Sequence, residues 1–447
     1  MENSLLLQAD RDRFWHPGRQ MQHYTEADQV IMKSGDGYYL QDIHGRQYID
    51  ANSSVWCASL GYSNTQLKSA IIAQLDQLPY ASLSAFSHPP VIELANTLCS
   101  LHPEENCHVH FTTTGAEAVE ASIKIARQYF KQNGQPKRTK LVSFKGSYHG
   151  LTTGALSVTG LDQQREAYEP LLDGCVHLEF PHCLDCPWKK EPISCDNYCL
   201  DSFKSSLQSI EPETIAAVII EPLLASGGML IAPANYFRRV QAIIKEAGAL
   251  MIIDEVTTGC ARTGTFFYHQ QLQITPDIVL LSKGLTSGYQ PLAAVIVRNE
   301  IYEGFKGEIN SGREFKDFHT FAAHPAACVA AMETIRIVNN PNFLNHIIKI
   351  GAFMRHSLDL LREKFDCIRC VRGVGLLNGI EFQSPIQSAR RLSRAAMNYG
   401  LIIRSLRDAP HVLAVVPPLI IDEQGVEHIC ARLDKAISDA LNEPSFE

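Results

Sequence analysis

Ile215-Ala-Ala-Val-Ile-Ile220, then Tyr236 to Ala247, then Ala249-Leu-Met-Ile-Ile-Asp254 follow one another along the chain and decide its fold. The two outer runs are short and apolar throughout, as expected of strands covered on both faces. The segment between them carries Phe237, Val240, Ile243, Ile244 and Ala247 at helical spacing and stops at Gly248, a natural helix terminator. Strand, helix and strand make a βαβ unit, the building block of a mostly parallel sheet with helices on its faces. A further strand, Asp277-Ile-Val-Leu-Leu281, leads directly to Lys283.

In open α/β sheets ligands gather at the carboxyl ends of strands, and here three such ends carry Glu221, Asp254 and Lys283. Towards the N-terminus, Gly35-Asp-Gly37 and His44-Gly-Arg46 are turn signals between short strands. From about Pro325 long helices take over, followed by Val371-Arg-Gly-Val-Gly375 and a strand-rich tail reaching Val415-Val-Pro-Pro-Leu419. Gly373-Val-Gly375 lacks a following helix and a ribose-binding acid, so it reads as a turn rather than a dinucleotide loop. A chain of 447 residues exceeds what one core holds, roughly 250–300 residues. The expected architecture is α/β: a large domain over 61–325 with a mostly parallel sheet, and a smaller α+β domain built from both chain ends, 1–60 and 326–447.

The net charge of −8 and the lack of a Lys/Arg-rich run argue against nucleic acid as a partner. The N-terminal MENSLLLQADRDRFWHP has too short an apolar stretch for a signal peptide, and no window approaches about 20 apolar residues, so a cytoplasmic protein without membrane spans is expected. Most of the 13 cysteines stand singly in apolar surroundings, as do Cys57, Cys99, Cys260 and Cys328, and read as reduced, buried thiols. Cys183-Leu-Asp-Cys186 with Cys195 and Cys199 has the spacing of a zinc knuckle. It lies in a Pro-containing connection away from the other chemistry, so packing is the preferred reading and no metal is assigned.

Four stretches carry chemistry. Phe111-Thr-Thr-Thr-Gly-Ala-Glu117 is a strand, a small-residue turn and a helix start. Its exposed N–H groups and positive helix end suit a phosphate, although a helix capped by Thr114 accounts for the pattern equally well. Phe144-Lys-Gly-Ser-Tyr-His-Gly150 places Tyr148 and His149 between glycines, where a flat ligand can approach; ordinary loop packing is the alternative. Asp254 ends an apolar strand, and a buried carboxylate there is costly unless it meets a cation such as a protonated pyridine nitrogen or caps a turn. Lys283, after another apolar strand, is either an exposed surface lysine or a desolvated amine nucleophilic toward an aldehyde.

Taken jointly, Thr114-Gly-Ala-Glu-Ala-Val-Glu120, Tyr148-His-Gly150, Glu221-Pro222, Asp254-Glu-Val-Thr-Thr-Gly259, Arg262-Thr-Gly264, Ser282-Lys-Gly284, Gly288-Tyr-Gln-Pro-Leu292, His319-Thr-Phe321 and Pro417-Pro-Leu419 resemble the class III pyridoxal-phosphate aminotransferases of fold type I. The match spans about residues 35 to 420. The resemblance implies Lys283 as the Schiff-base lysine and proton shuttle, Asp254 on the pyridine nitrogen, Tyr148 stacked on the ring and Val256 on its opposite face. His149 and Glu221 join the cofactor's neighbours. Gly115 and Ala116 would bind the phosphate through N–H groups, and Thr320 would reach the phosphate of a neighbouring subunit, so a homodimer is implied. Where many relatives have Ser this chain has Ala116, which removes one hydroxyl contact.

For substrate, Asp50-Ala-Asn-Ser-Ser-Val-Trp56 looks like the pocket segment of the ω-amino acid:pyruvate and diaminopelargonate aminotransferases, with Trp56 lining the pocket. Gly400-Leu-Ile-Ile-Arg404 resembles the stretch that carries their carboxylate-binding arginine; Arg407 is a rival. His324-Pro325 is similar to the ω-amino acid group. The implied activity is ping-pong transamination from an ω-amino acid, diamine or other amine to a 2-oxo acid or ketone such as pyruvate. The alternatives are the adenosylmethionine-8-amino-7-oxononanoate aminotransferase of biotin synthesis and a pyridoxal-phosphate aminomutase. A non-catalytic relative is disfavoured by the intact Lys283 and Asp254.

Overall fold

The apolar runs at 215–220, 250–254 and 278–281 are adjacent strands in the middle of a seven-stranded sheet. The computed structural model describes residues 3–25, 29–104, 106–191, 194–383 and 389–442. Across the sheet the order is Cys107–Thr112, Ala293–Arg298, Ile278–Leu281, Leu250–Asp254, Ile215–Ile220, Lys140–Phe144, Cys175–Leu178. Ala293–Arg298 is antiparallel to both its neighbours, and the remaining pairs are parallel.

Side chains alternate along each strand, so both faces need a cover. Leu250 and Ile252 join the core made with helix Gly115–Gln132, while Met251 and Ile253 face the helices Tyr198–Ser209 and Tyr236–Glu246. Every residue of Ile215–Ile220 is buried. Each large apolar side chain so placed contributes about 1.5–3 kcal/mol, which is why the strands stay apolar until their ends.

Helix Gly115–Gln132 starts with a capping box: the Thr114 hydroxyl accepts from Glu117 N–H, and the Glu117 carboxylate accepts from the N–H groups of Thr113 and Thr114. Helix Tyr236–Glu246 closes at Ala247, and Gly248 follows with φ 67°. A Cβ there would lie 2.7 Å from Arg138 Nη2, so the site requires glycine on two counts.

The two chain ends share a sheet. Met32–Asp36, Tyr39–Asp42 and Gln47–Asp50 form an antiparallel meander, and Leu401–Ile402 adds in parallel to Gln47–Asp50. A second antiparallel sheet orders Ile368–Val374, Leu377–Phe382, Val412–Val415 and Arg404–Ser405. The hairpin between its first two strands turns at Gly375, φ 57°, where the sequence called for a turn.

Among the described residues no helix is long and apolar enough to cross a membrane. All thirteen cysteines are free. Cys199 packs beside Leu200 and Phe203 in an apolar cluster, and no three sulfurs of Cys183, Cys186, Cys195 and Cys199 converge within 4.8 Å.

Candidate active site

Five strands that run the same way end along one edge of the large sheet. They deliver in turn the 113–116 turn, Tyr148 with His149, Glu221, Asp254 and Lys283. Asp254 is 5% exposed and Glu221 4%. The Asp254 carboxylate is held on two sides: Oδ2 lies 2.8 Å from His149 Nδ1, and Oδ1 accepts from Val256 N–H at 3.1 Å. His149 therefore meets Asp254 through its Nδ1. Tyr148 N–H donates to Glu221 Oε2 at 2.7 Å, fixing the loop that carries both aromatic residues. Burial pushes Glu221 up to about 7, with the Asp254 charge adding to the rise and His149 opposing it.

Lys283 follows its strand with φ 41°, a left-handed backbone that turns the side chain out of the sheet. Its Nζ donates to Thr257 Oγ1 at 2.7 Å and lies 4.9 Å from the centre of the Trp56 ring. No carboxylate lies within ion-pairing distance of it among the described residues. Burial lowers the pKa of its amine; the charges of Cys57, Asp254 and Glu221 oppose that shift, and Arg404 adds to it. A desolvated amine of lowered basicity is a nucleophile for a carbonyl carbon.

Trp56 is presented by an unusual turn. Ser53, Ser54, Val55 and Trp56 all have positive φ, 39°, 46°, 60° and 69°. Asp50 holds this turn by accepting from the N–H groups of Asn52 and Ser54, and the Ser53 hydroxyl donates to the Val416 carbonyl at 2.6 Å. Arg262, fully buried, donates to the Pro417 carbonyl at 2.6 Å and braces the same region. Such a run stores strain of about 1–3 kcal/mol per residue, worst at the β-branched Val55. Val55 is exposed and has little packing to lose. Val55→Asn is therefore expected to stabilise the protein by about 1 kcal/mol in denaturant unfolding; a loss of stability would show that the turn is not strained.

At the 113–116 turn the capping box uses the N–H groups of Thr113, Thr114 and Glu117. Those of Gly115 and Ala116 have no protein acceptor among the described contacts. A Cβ on Gly115 would stand 3.1 Å from both methyl groups of Val256, so a side chain has no room there. Two free N–H groups at the positive end of an 18-residue helix suit a phosphate. With a buried carboxylate for a ring nitrogen and a nucleophilic lysine for an aldehyde, the residues present fit pyridoxal phosphate.

Arg404 lines a cleft of about 680 Å³ together with Arg19, Arg394 and Arg407. Its pKa is lowered by burial and by the charge of Arg407, and its field reaches Tyr148 and Lys283. Thr320 stays outside this constellation: it is exposed, and its carbonyl accepts from the Tyr80 hydroxyl at 2.6 Å. Cys57, expected only as a buried thiol, is half-buried beside Lys283, and neither Thr257 nor the bracing role of Arg262 was foreseen from the sequence. Thr257 and Arg262 lie inside quoted motifs, so a signal existed, whereas Cys57 is brought to Lys283 by the left-handed turn alone.

The sequence profile of the class-III aminotransferases matches residues 21–437. Adenosylmethionine-8-amino-7-oxononanoate aminotransferase of Methanocaldococcus jannaschii is 32% identical over 461 residues, covering 98% of this chain and 99% of the relative. Hypotaurine/taurine–pyruvate aminotransferase of Paracoccus denitrificans is 32% identical over 452 residues, covering 97% of each. The structure of an amine transaminase from an uncultivated Pseudomonas species, in its PLP-bound form, superposes with a TM-score of 0.90 at 29% identity, covering 96% of this chain and 98% of the other. The fold is that of the fold type I transferases, the cofactor is pyridoxal phosphate and the reaction class is transamination. On these grounds the chain belongs to the class-III aminotransferases.

Proposed function

We propose that this enzyme moves the amino group of an ω-amino acid or related acidic amine to a 2-oxo acid such as pyruvate. The observation that carries this reading is Arg404, whose charge is felt at Lys283 and Tyr148 and which lines a cleft with Arg19, Arg390, Arg394 and Arg407; no carboxylate pairs with Arg404 among the described residues. A carboxylate or sulfonate is attracted there, whereas the sulfonium of adenosylmethionine is repelled. Similarity to the taurine–pyruvate enzyme agrees with this preference.

Bound pyridoxal phosphate supplies an aldehyde carbon and an electron-withdrawing ring. Lys283 would anchor that aldehyde through its Nζ and would move a proton between the amine-bearing carbon of the substrate and the cofactor's aldehyde carbon. Asp254, oriented by His149 and Val256 N–H, keeps a proton on the ring nitrogen. Tyr148 and Val256 would cover the two ring faces and Gly115 and Ala116 would hold the phosphate, while Glu221 steadies the Tyr148 loop. Trp56 walls the pocket. Arg404 binds the substrate carboxylate, the acceptor's and the donor's in alternate half-reactions.

The working unit is a homodimer in which Thr320 completes the neighbour's phosphate site. Thr320 is exposed beside the exposed Phe318 and Phe321, and Phe321 lies 5.9 Å from the ring of Tyr80; this apolar surface is suited to cover by a second copy. The free cysteines suit the reducing cytosol.

A donor panel of β-alanine, putrescine, taurine, adenosylmethionine and aromatic amines against pyruvate, 2-oxoglutarate and 8-amino-7-oxononanoate tests the assignment. Turnover of an acidic ω-amine with pyruvate is expected. Activity confined to adenosylmethionine with 8-amino-7-oxononanoate would transfer the enzyme to biotin synthesis, and isomerisation without an acceptor would make it an aminomutase. Arg404→Leu should raise KM for the acidic substrate about 10–100-fold with little change in kcat, the loss of one charge-assisted contact. An unchanged KM would hand the role to Arg407.

A further inference from the structure

His110 projects from the strand Cys107–Thr112, and the segment carrying Asp317 and His319 folds over it, with Phe315 edge-on to the His110 ring at 5.1 Å. His110 Nε2 lies 3.3 Å from Asp317 Oδ2, and His319 Nε2 lies 3.3 Å from the same oxygen. All three ligand atoms fall within 4.8 Å of one another. Zinc held tetrahedrally at about 2.0–2.1 Å places its ligand atoms about 3.3–3.4 Å apart along each edge. Two of the three edges of a coordination triangle are thus already at that spacing.

We propose that His110, Asp317 and His319 bind one divalent transition-metal ion, zinc or cobalt(II), with water as the remaining ligand. Two imidazoles and one carboxylate favour such an ion over magnesium or calcium, which take oxygen ligands. His110 Nε2 is buried without a hydrogen bond of good geometry, so it is left for a ligand. The outer contacts match a metal site as well. Glu117 Oε1 lies 3.7 Å from the other nitrogen of His319, beyond hydrogen-bond distance but on the side from which a carboxylate orients a ligating imidazole. Lys124 Nζ occupies Asp317 Oδ1 at 2.5 Å and leaves Oδ2 to the ion; its side chain is half exposed.

The ion acts as a clip rather than a reagent. Glu117 caps the turn that holds Gly115 and Ala116, and His319 precedes Thr320, so a metal joins the phosphate turn to the segment bearing Thr320. The expected consequence is a more rigid pairing of these two elements. It does not depend on which amine the enzyme uses.

The holoenzyme is stripped with a chelator, loaded with excess Zn²⁺, passed through gel filtration and assayed for metal by mass spectrometry. Co²⁺ loading is followed in parallel through its d–d absorption. One ion per chain is expected, with tetrahedral cobalt intensity and a thermal midpoint raised by Zn²⁺. His319→Gln and Asp317→Asn should weaken binding about 100-fold and abolish the thermal shift. Lys124→Met, which removes a competing cation, should tighten it. The double change Cys183→Ser with Cys186→Ser should leave it intact. Wild-type protein that emerges without zinc, zinc that persists undiminished in His319→Gln, or zinc lost with the two cysteines would each overturn the proposal.

Discussion

Lys283→Ala is expected to purify without the yellow colour of the wild type and to lose transamination by a factor of about 10⁴ or more, because the proposed role makes one residue both anchor and proton carrier. Borohydride should bleach and trap the cofactor on the wild type and leave the variant unlabelled. Turnover within tenfold of wild type would show that the amine beside Thr257 and Trp56 is not the reacting one. Removing the amine by a substitution that keeps the packing has an opposite effect on stability. Burial lowers the pKa of Lys283, so in the apoenzyme the unfolded chain holds more protons than the folded one between the depressed pKa and the ordinary lysine value. Stability of the apo form therefore rises with pH across that window, and below it the buried amine is a standing cost. Lys283→Met should raise the thermal midpoint of the apoenzyme at neutral pH while removing its activity. A midpoint that falls, or an apo stability indifferent to pH through that window, would mean that the amine is not desolvated.

Asp254→Asn carries the second large effect, a loss in kcat/KM of about 10²–10³, the scale on which a preorganised charge at a reacting group acts. The amide keeps the shape and the contact with Val256 N–H but cannot hold a proton on a pyridine nitrogen. Visible spectroscopy should show bound cofactor in this variant, which separates a lost charge from a lost site. His149→Ala should cost less, since His149 acts by orienting Asp254. If Asp254→Asn stays within threefold of wild type, the carboxylate is only a turn cap.

Much of this was legible from residues alone because the underlying physics is local. Strands buried on both faces must be apolar, so Ile215–Ile220 and Leu250–Asp254 announce themselves, and the polar residue that ends each run marks where chain leaves core for ligand. At the Thr114 turn the two readings are compatible: Thr114 and Glu117 cap the helix, and that capping leaves the N–H groups of Gly115 and Ala116 free for the phosphate proposed there.

Other features have no local signature. Val55 and Trp56 would be placed in strand or right-handed helix by propensity, and their left-handed backbone exists only because Asp50, Val416 and buried Arg262 hold the turn from distant parts of the chain. The meeting of His110 with Asp317 and His319 spans about two hundred residues and is invisible to spacing. By itself the sequence determined the α/β class, the mostly parallel sheet and the order of the strand ends that carry Glu221, Asp254 and Lys283, since burial and periodicity are written in consecutive residues; the chemistry proposed for Lys283 and Asp254 came from the resemblance to the family. Only the tertiary structure decided what stands beside what: His149 behind Asp254, Trp56 against Lys283, five arginines around one cleft. Those contacts join segments far apart in the chain, and their energies depend on distance and desolvation, quantities that no single stretch of sequence contains.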